Sequence, residues 1–100
     1  MFERIMGLNV IDEPLYQKYR EHMIPILSSY GGAFVYDFVV SDVLKSSTEN
    51  SINRVFLIEF PSRKIMEEFF VDPNYLEAKR EYLDPSIDGK TIISMHEKNT

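Results

Sequence analysis

Hydrophobic and polar side chains alternate with a period of two along residues 2–10. One parity carries apolar side chains and a single arginine, namely Phe2, Arg4, Met6, Leu8 and Val10. This period is typical of a β-strand, because successive side chains of a strand point to opposite faces of the sheet. Strands are also predicted over residues 33–44, 53–60 and 90–97, with a polar hairpin loop over residues 46–51.

Two helices are predicted in the remaining segments. In the first, apolar residues recur at spacings of three and four, and the Gly31-Gly32 pair ends the pattern. Pro25 lies inside this helix and predicts a bend, which either wraps the helix around a sheet or opens space beside His22. The second helix is predicted to begin after Ser62 as N-cap, and to break and restart at Asp72-Pro73.

The predicted order β-α-β-β-α-β is that of a ferredoxin-like α+β fold, a four-stranded antiparallel sheet with helices on one face. Both faces of the second and third strands carry apolar side chains. Along the second strand, one face is predicted to hold Phe34, Tyr36, Phe38 and Val40, and the other Ala33, Val35, Val39 and Val43. Two apolar faces favour a homodimer in which a second sheet covers the open face. A monomer with one moderately apolar face is the alternative.

Several segments together resemble the DUF1330 family of the dimeric α+β barrel superfamily. They are Tyr16-Gln17-Lys18-Tyr19, Pro25-Ile26-Leu27, Gly31-Gly32, Ile58-Glu59-Phe60-Pro61-Ser62, Phe69-Phe70 and Asp72-Pro73-Asn74-Tyr75. The resemblance implies the ferredoxin-like fold and dimerisation. Its wider superfamily includes monooxygenases and isomerases that act on hydrophobic, often aromatic or carbonyl-containing, compounds.

The chain also departs from the common family pattern. Members often have arginines just after the Gly-Gly pair, where this chain has Ala33 and Asp37, and often have a Trp before the third strand, which this chain lacks. Arg54 matches a frequent family arginine. A role of the two missing arginines in binding an anionic ligand would therefore not carry over to this chain.

The composition of the chain argues against several classes of function. The net charge is −5 and the basic residues are scattered among acidic ones, so a nucleic-acid partner is not expected. The chain has no cysteine, which excludes disulfides and thiolate chemistry.

No segment is apolar enough for a membrane span or a signal peptide, so we expect a cytoplasmic protein. Its 100 residues are expected to form one domain, residues 1–100, without a cofactor.

A cleft between the first helix and the sheet is the candidate site, with Tyr19, His22, Tyr36 and Phe56 as its expected lining. His22 is the candidate catalytic residue, because an imidazole transfers protons near neutral pH. The alternative is a histidine satisfied by one hydrogen bond at the core edge. Tyr19 and Tyr36 would contribute hydroxyls, or only pack in the core.

Two further residues are binding candidates, and one histidine is set aside. Arg54 begins the third strand, and Glu59 lies in an otherwise apolar stretch of it. Glu59 is either a buried acid with a raised pKa or the partner of Arg54, Arg4 or Lys90. His96, near the end of the last strand, is expected to be exposed.

Two functions remain open from the sequence. The first is a domain that binds, or transforms without a cofactor, a small hydrophobic or carbonyl-containing molecule. The second is a non-catalytic interaction or structural protein whose apolar sheet face exists for dimerisation. A ligand-sized cavity between helix and sheet would favour the first.

Overall fold

The computed structural model of the protein describes residues 1–99. Its four strands are β1 (Phe2–Val10), β2 (Ala33–Val39), β3 (Arg54–Phe60) and β4 (Ile87–Glu97). Its α-helices are α1 (Glu13–Ser29), α2 (Arg63–Phe70) and α3 (Pro73–Ala78). A π-helical turn (Lys79–Leu83) and a short 3-10 turn (Asp84–Ser86) join α3 to β4. The predicted order of elements is confirmed, with β2 shorter and β4 longer than the sequence pattern indicates.

The strands form one antiparallel sheet in the order β2-β3-β1-β4, which is the ferredoxin-like arrangement. The helices cover one face, here called the inner face, and leave the other, the outer face, uncovered by helices. The core lies against the inner face and includes the apolar row of β1 together with Phe56, Ile58 and Phe60 of β3. Because β1 lies inside the sheet, the alternation of its side chains determines which of them enter the core.

Local side-chain hydrogen bonds set the helix starts, and those at Ser62 and Asp72 lie where the sequence predicted them. The Asp12 carboxylate accepts a hydrogen bond from the Leu15 amide at the start of α1, and Ser62 caps α2 in the same way through the Ile65 amide. Asp72 caps α3 through the amides of Asn74 and Tyr75. These side chains satisfy backbone donors that a helix leaves unpaired in its first turn.

The end of α1 depends on Gly31 and Gly32. Gly31 has φ +75°, a left-handed conformation that residues with a Cβ adopt only with strain. At Gly32 an added Cβ would lie 2.6 Å from Leu27 Cδ1 and 3.1 Å from the carbonyl oxygen of Glu59. The left-handed conformation therefore favours glycine at position 31, and the close approach of the helix end to β3 requires glycine at position 32.

A β-bulge changes the orientation of half of β2. Phe34 pairs with Ile58, whereas Tyr36 pairs with Leu57, so the register shifts between them. Because side chains alternate, this shift moves Tyr36 and Phe38 to the outer face, while Phe34 remains on the inner face. The expectation that these three aromatic residues share a face is therefore wrong, since strict alternation does not allow for a bulge.

Among the helices within residues 1–99, none has the length and apolar character needed to cross a membrane.

Candidate functional site

A cavity of about 210 Å³ lies between the inner face of the sheet and the helices. Strands β1, β3 and β4 form its floor, and α1, the end of α2, α3 and the π-helical turn form its roof. Most of its wall is apolar, with Met6, Met23, Phe56, Ile58, Phe70 and Leu83 among the lining residues. Such a cavity between helix and sheet is where the sequence placed the candidate cleft.

Two tyrosine hydroxyls meet in this cavity. The oxygens of Tyr19, on α1, and Tyr75, on α3, are 3.1 Å apart, and both side chains are buried. Burial raises the pKa of both phenols, that of Tyr19 strongly, so both stay neutral at physiological pH. Each hydroxyl has one proton, and their mutual hydrogen bond uses only one of the two. The pair therefore retains one proton that it can donate to a bound molecule.

Arg4 places a positive charge on the inner face of the central strand. Its guanidinium carbon lies 4.3 Å from the centre of the Phe70 ring, and its Nε donates to Met6 Sδ at 3.1 Å. Burial lowers the pKa of Arg4, although an arginine remains protonated at physiological pH. Among residues 1–99, no carboxylate forms an ion pair with Arg4.

Two lysines add charge to the cavity wall. Lys90 lies on β4 opposite Leu8 of β1, and Lys79 lies on the π-helical turn. Lys79 pairs with Asp84 at 3.2 Å, whereas Lys90 has no ion-pair partner within residues 1–99. Burial, followed by the charge of Lys79, lowers the pKa of Lys90. The polar part of the cavity is therefore basic.

His22 lies outside this cavity, contrary to expectation. The buried residues of α1 are Tyr16, Tyr19, Met23 and Leu27, so Met23 occupies the inward position and His22 is exposed. The His22 Nδ1 atom is 2.8 Å from the Lys18 carbonyl oxygen, and its ring packs on Tyr82 at 4.6 Å. A separate surface depression beside it is lined by Glu77 and Glu81. His22 and Tyr19 therefore lie on different faces of α1, and only Tyr19 reaches the cavity.

The other aromatic candidates divide between the two faces of the sheet. Phe56 lies in the floor of the cavity and is 7% exposed. Tyr36 lies on the outer face, is 57% exposed and stacks on Phe38. The structure therefore brings Tyr19 and Phe56 together and separates both from Tyr36 and His22.

Arg54 and Glu59 lie away from the cavity. Arg54 donates to Glu13 Oε2 at 2.8 Å and its guanidinium stacks on Tyr16, which fixes the start of α1 against β3. Glu59 lies on the outer face, where its register partner in β1 is Glu3. The expected pairing of Glu59 with Arg54, Arg4 or Lys90 does not form, because those three side chains belong to the inner face.

A polar cluster on the outer face joins β1 to β4. His96 Nε2 is 2.9 Å from Glu3 Oε1, and His96 Nδ1 is 2.7 Å from Ser94 Oγ. Lys98 Nζ lies 3.5 Å from the other oxygen of Glu3. The Lys98 ammonium offsets the charge of Glu3, whose side chain is only 7% exposed, and His96 forms a hydrogen bond with it. Among residues 1–99, no three His, Asp or Glu side chains are grouped to hold a metal ion.

Four polar residues of the cavity wall were not predicted as site residues: Arg4, Tyr75, Lys79 and Lys90. One signal for Arg4 exists in the sequence, since it is the charged member of the apolar parity of β1. Lys90 has no comparable signal. Its face depends on a bulge in β4, which lies between the residues of β4 that pair with Ile5 and with Met6 and is not visible in the sequence pattern. Tyr75 and Lys79 reach the cavity only through the packing of α3 and the π-helical turn.

Comparisons with known proteins agree with this architecture. The model of the family "Domain of unknown function (DUF1330)" matches residues 4–93. Among curated proteins, no sequence matches the chain. A protein of unknown function from Rhodopseudomonas palustris has a similar structure, with a TM-score of 0.82, 17% identity, and coverage of 99% of this chain and 82% of that one.

Two other solved structures share the fold at lower similarity. One is described as an antibiotic biosynthesis monooxygenase, with a TM-score of 0.67, 14% identity and full coverage of both chains. The other, from Bacteroides fragilis, is described as a dimeric protein of unknown function and ferredoxin-like fold. Its TM-score is 0.63 at 12% identity, with coverage of 97% of this chain and 95% of that one. At these identities the likeness establishes the fold alone.

The hydroxyl pair gives a stability prediction. Removing one hydroxyl, in Tyr19→Phe or Tyr75→Phe, leaves the other buried without its partner and should cost about 1–3 kcal/mol of unfolding free energy. The double variant should cost less than the sum of the two single variants, because no unpaired hydroxyl remains. Urea unfolding of all four proteins measures this coupling. Strict additivity would show that the two hydroxyls do not interact.

Proposed function

Because the chain belongs to the DUF1330 family, a family of unknown function, we propose a function from the chain's own cavity: it binds a small apolar molecule that carries a carbonyl or similar oxygen. The observation that supports this most strongly is the composition of the cavity wall. A largely apolar pocket with a few convergent polar groups is typical of small-molecule sites. Here the convergent groups are Arg4, Lys90 and the hydroxyls of Tyr19 and Tyr75.

The cavity volume limits the size of the bound molecule. A dry protein cavity of about 150 Å³ holds benzene. The cavity of this protein, at about 210 Å³, therefore accommodates one aromatic ring with a short substituent. Met23 and Phe56 would contact the ring, and the oxygen would lie towards Arg4 and the hydroxyl pair.

The same groups would affect the reactivity of a bound carbonyl compound. A hydroxyl proton from the Tyr19–Tyr75 pair and the charge of Arg4 would stabilise negative charge that develops on the carbonyl oxygen. Lys90 lines the cavity and His22 does not, so the Lys90 ammonium is the better placed of the two to donate a proton to that oxygen. Transformation of the molecule without a cofactor is thus the more specific form of the proposal.

Filling the cavity should abolish binding. Acetophenone, a neutral single-ring ketone, is expected to shift the methyl NMR signals of Met6 and Met23 in the wild-type protein. The variant Met23→Trp places an indole in the cavity and should bind at least about tenfold more weakly. The control Ile24→Trp puts the same side chain at the neighbouring, 40% exposed position and should bind like wild type.

Two results of this titration would contradict the proposal. One is wild-type protein whose methionine methyl signals do not move at millimolar acetophenone. The other is equal loss of binding in Met23→Trp and Ile24→Trp, which would place the ligand elsewhere. Amide spectra of both variants report whether the fold is retained.

We infer a second role, for the outer face, which is to pack against a second copy of the chain. Tyr36 and Phe38 expose 57% and 55% of their surface there, next to Leu57 of β3. Exposed aromatic patches of this kind are typical of interfaces. The dimeric ferredoxin-like protein from Bacteroides fragilis supports the choice of partner. The non-catalytic alternative depends on this face alone and requires no ligand in the cavity.

A charge on the outer face should separate the two copies. The wild-type protein is expected to have twice the chain mass of 11.7 kDa in light scattering at micromolar concentration. Phe38→Lys buries a charge in the interface and should give the mass of one chain. Val71→Lys changes an apolar side chain, 68% exposed, on the helical side and should leave the mass doubled. A wild-type mass near 11.7 kDa would refute the dimer.

A further inference from the structure

We propose that the molecule bound in the cavity is a small apolar carboxylic acid, held as its carboxylate by Arg4 with the help of Lys90 and the Tyr19–Tyr75 pair. This inference rests on the proposed binding function and adds the chemical class of the ligand. Three observations carry it: the sign of the charge in the cavity, the unpaired Arg4, and the surplus of hydrogen-bond donors.

The cavity has a charge opposite to that of the whole protein. The chain has 16 acidic and 11 basic residues, for a net charge of −5. The lining of the cavity nevertheless contains Arg4, Lys79 and Lys90 and no Asp or Glu among the described residues. Asp84, outside the lining, offsets Lys79. The remaining charges of Arg4 and Lys90 favour an anion, and low-dielectric walls strengthen their effect.

Arg4 differs from Arg20 of α1 and Arg54 of β3, which both have an acidic partner. Arg20 pairs with Asp37 at 2.8 Å, and Arg54 pairs with Glu13 at 2.8 Å. Arg4 has no such partner within residues 1–99, and its hydrogen bond to the sulfur of Met6 is weak. A part-buried charge is costly without a counter-ion. Arg4 lines the cavity, so an anion bound there would be its counter-ion.

The geometry of the donors selects a carboxylate. A guanidinium presents a planar fork that matches the two oxygens of a carboxylate. The Lys90 ammonium and the spare hydroxyl proton of the tyrosine pair add further donors. A ketone or amide oxygen accepts two hydrogen bonds at most and carries no charge, whereas a carboxylate accepts about four. The number and charge of the donors therefore favour the acid over its neutral analogues.

Benzoate and benzamide test this inference directly, because they share size and shape and differ in charge. Titration of the wild-type protein at pH 7 and low salt, followed by methyl NMR shifts, should give a Kd for benzoate at least about tenfold below that for benzamide. The benzoate affinity should fall as salt is added, and the benzamide affinity should not.

Substitution of Arg4 should reduce the preference without removing the site. In Arg4→Gln the Kd of benzoate should rise towards that of benzamide, by at least about fivefold, while the Kd of benzamide stays within about threefold of wild type. Lys64→Gln removes an exposed positive charge on α2 and should leave both affinities unchanged. Retained benzamide binding also shows that Arg4→Gln is folded.

The possible failures are distinguishable. Equal affinity for benzoate and benzamide in the wild-type protein would overturn the carboxylate inference and leave the proposed binding function intact. A preference for benzoate that is undiminished in Arg4→Gln would overturn the role of Arg4. If acetophenone, benzamide and benzoate all fail to bind, the proposed function and this inference fall together.

Discussion

The fold depends on the alternation of the central strand β1. Four apolar side chains of β1 point from the inner face into the core, and the guanidinium of Arg4 lies on the same face between Phe2 and Met6. Burial of the apolar members against the helices stabilises the sheet, at roughly 1.5–3 kcal/mol for each large side chain. The same alternation necessarily places Arg4 under the helices. Core formation and the position of Arg4 in the cavity therefore follow from one strand.

The cavity combines three elements that are distant in the sequence. Tyr19 lies on α1, Tyr75 lies on α3 and Lys90 lies on β4. The packing of the helices on the sheet brings these residues close to Arg4. The hydroxyl pair links the two helices and also supplies the neutral donor of the site. Structure and binding are thus coupled, since the interaction that orders the roof of the cavity also forms its polar end.

The element order and the Ser62 and Asp72 caps could be predicted from the sequence, because they depend on local chemistry. Both residues cap their helices wherever the helices pack. The bulge in β2 could not be predicted, since strict alternation assigns Tyr36 to the wrong face. His22 and Met23 lie three and four residues after Tyr19, so spacing alone allowed either to face inward. Packing on the sheet selects Met23.

The central claim is that the ligand lies between the helices and the inner face of the sheet. Intermolecular nuclear Overhauser effects from the ring protons of bound benzoate locate it directly. We predict contacts to the methyl group of Met23 and the ring of Tyr75, both of which line the cavity. Contacts to the rings of Tyr36 and Phe38, with none to Met23 or Tyr75, would place the ligand on the outer face and contradict the account.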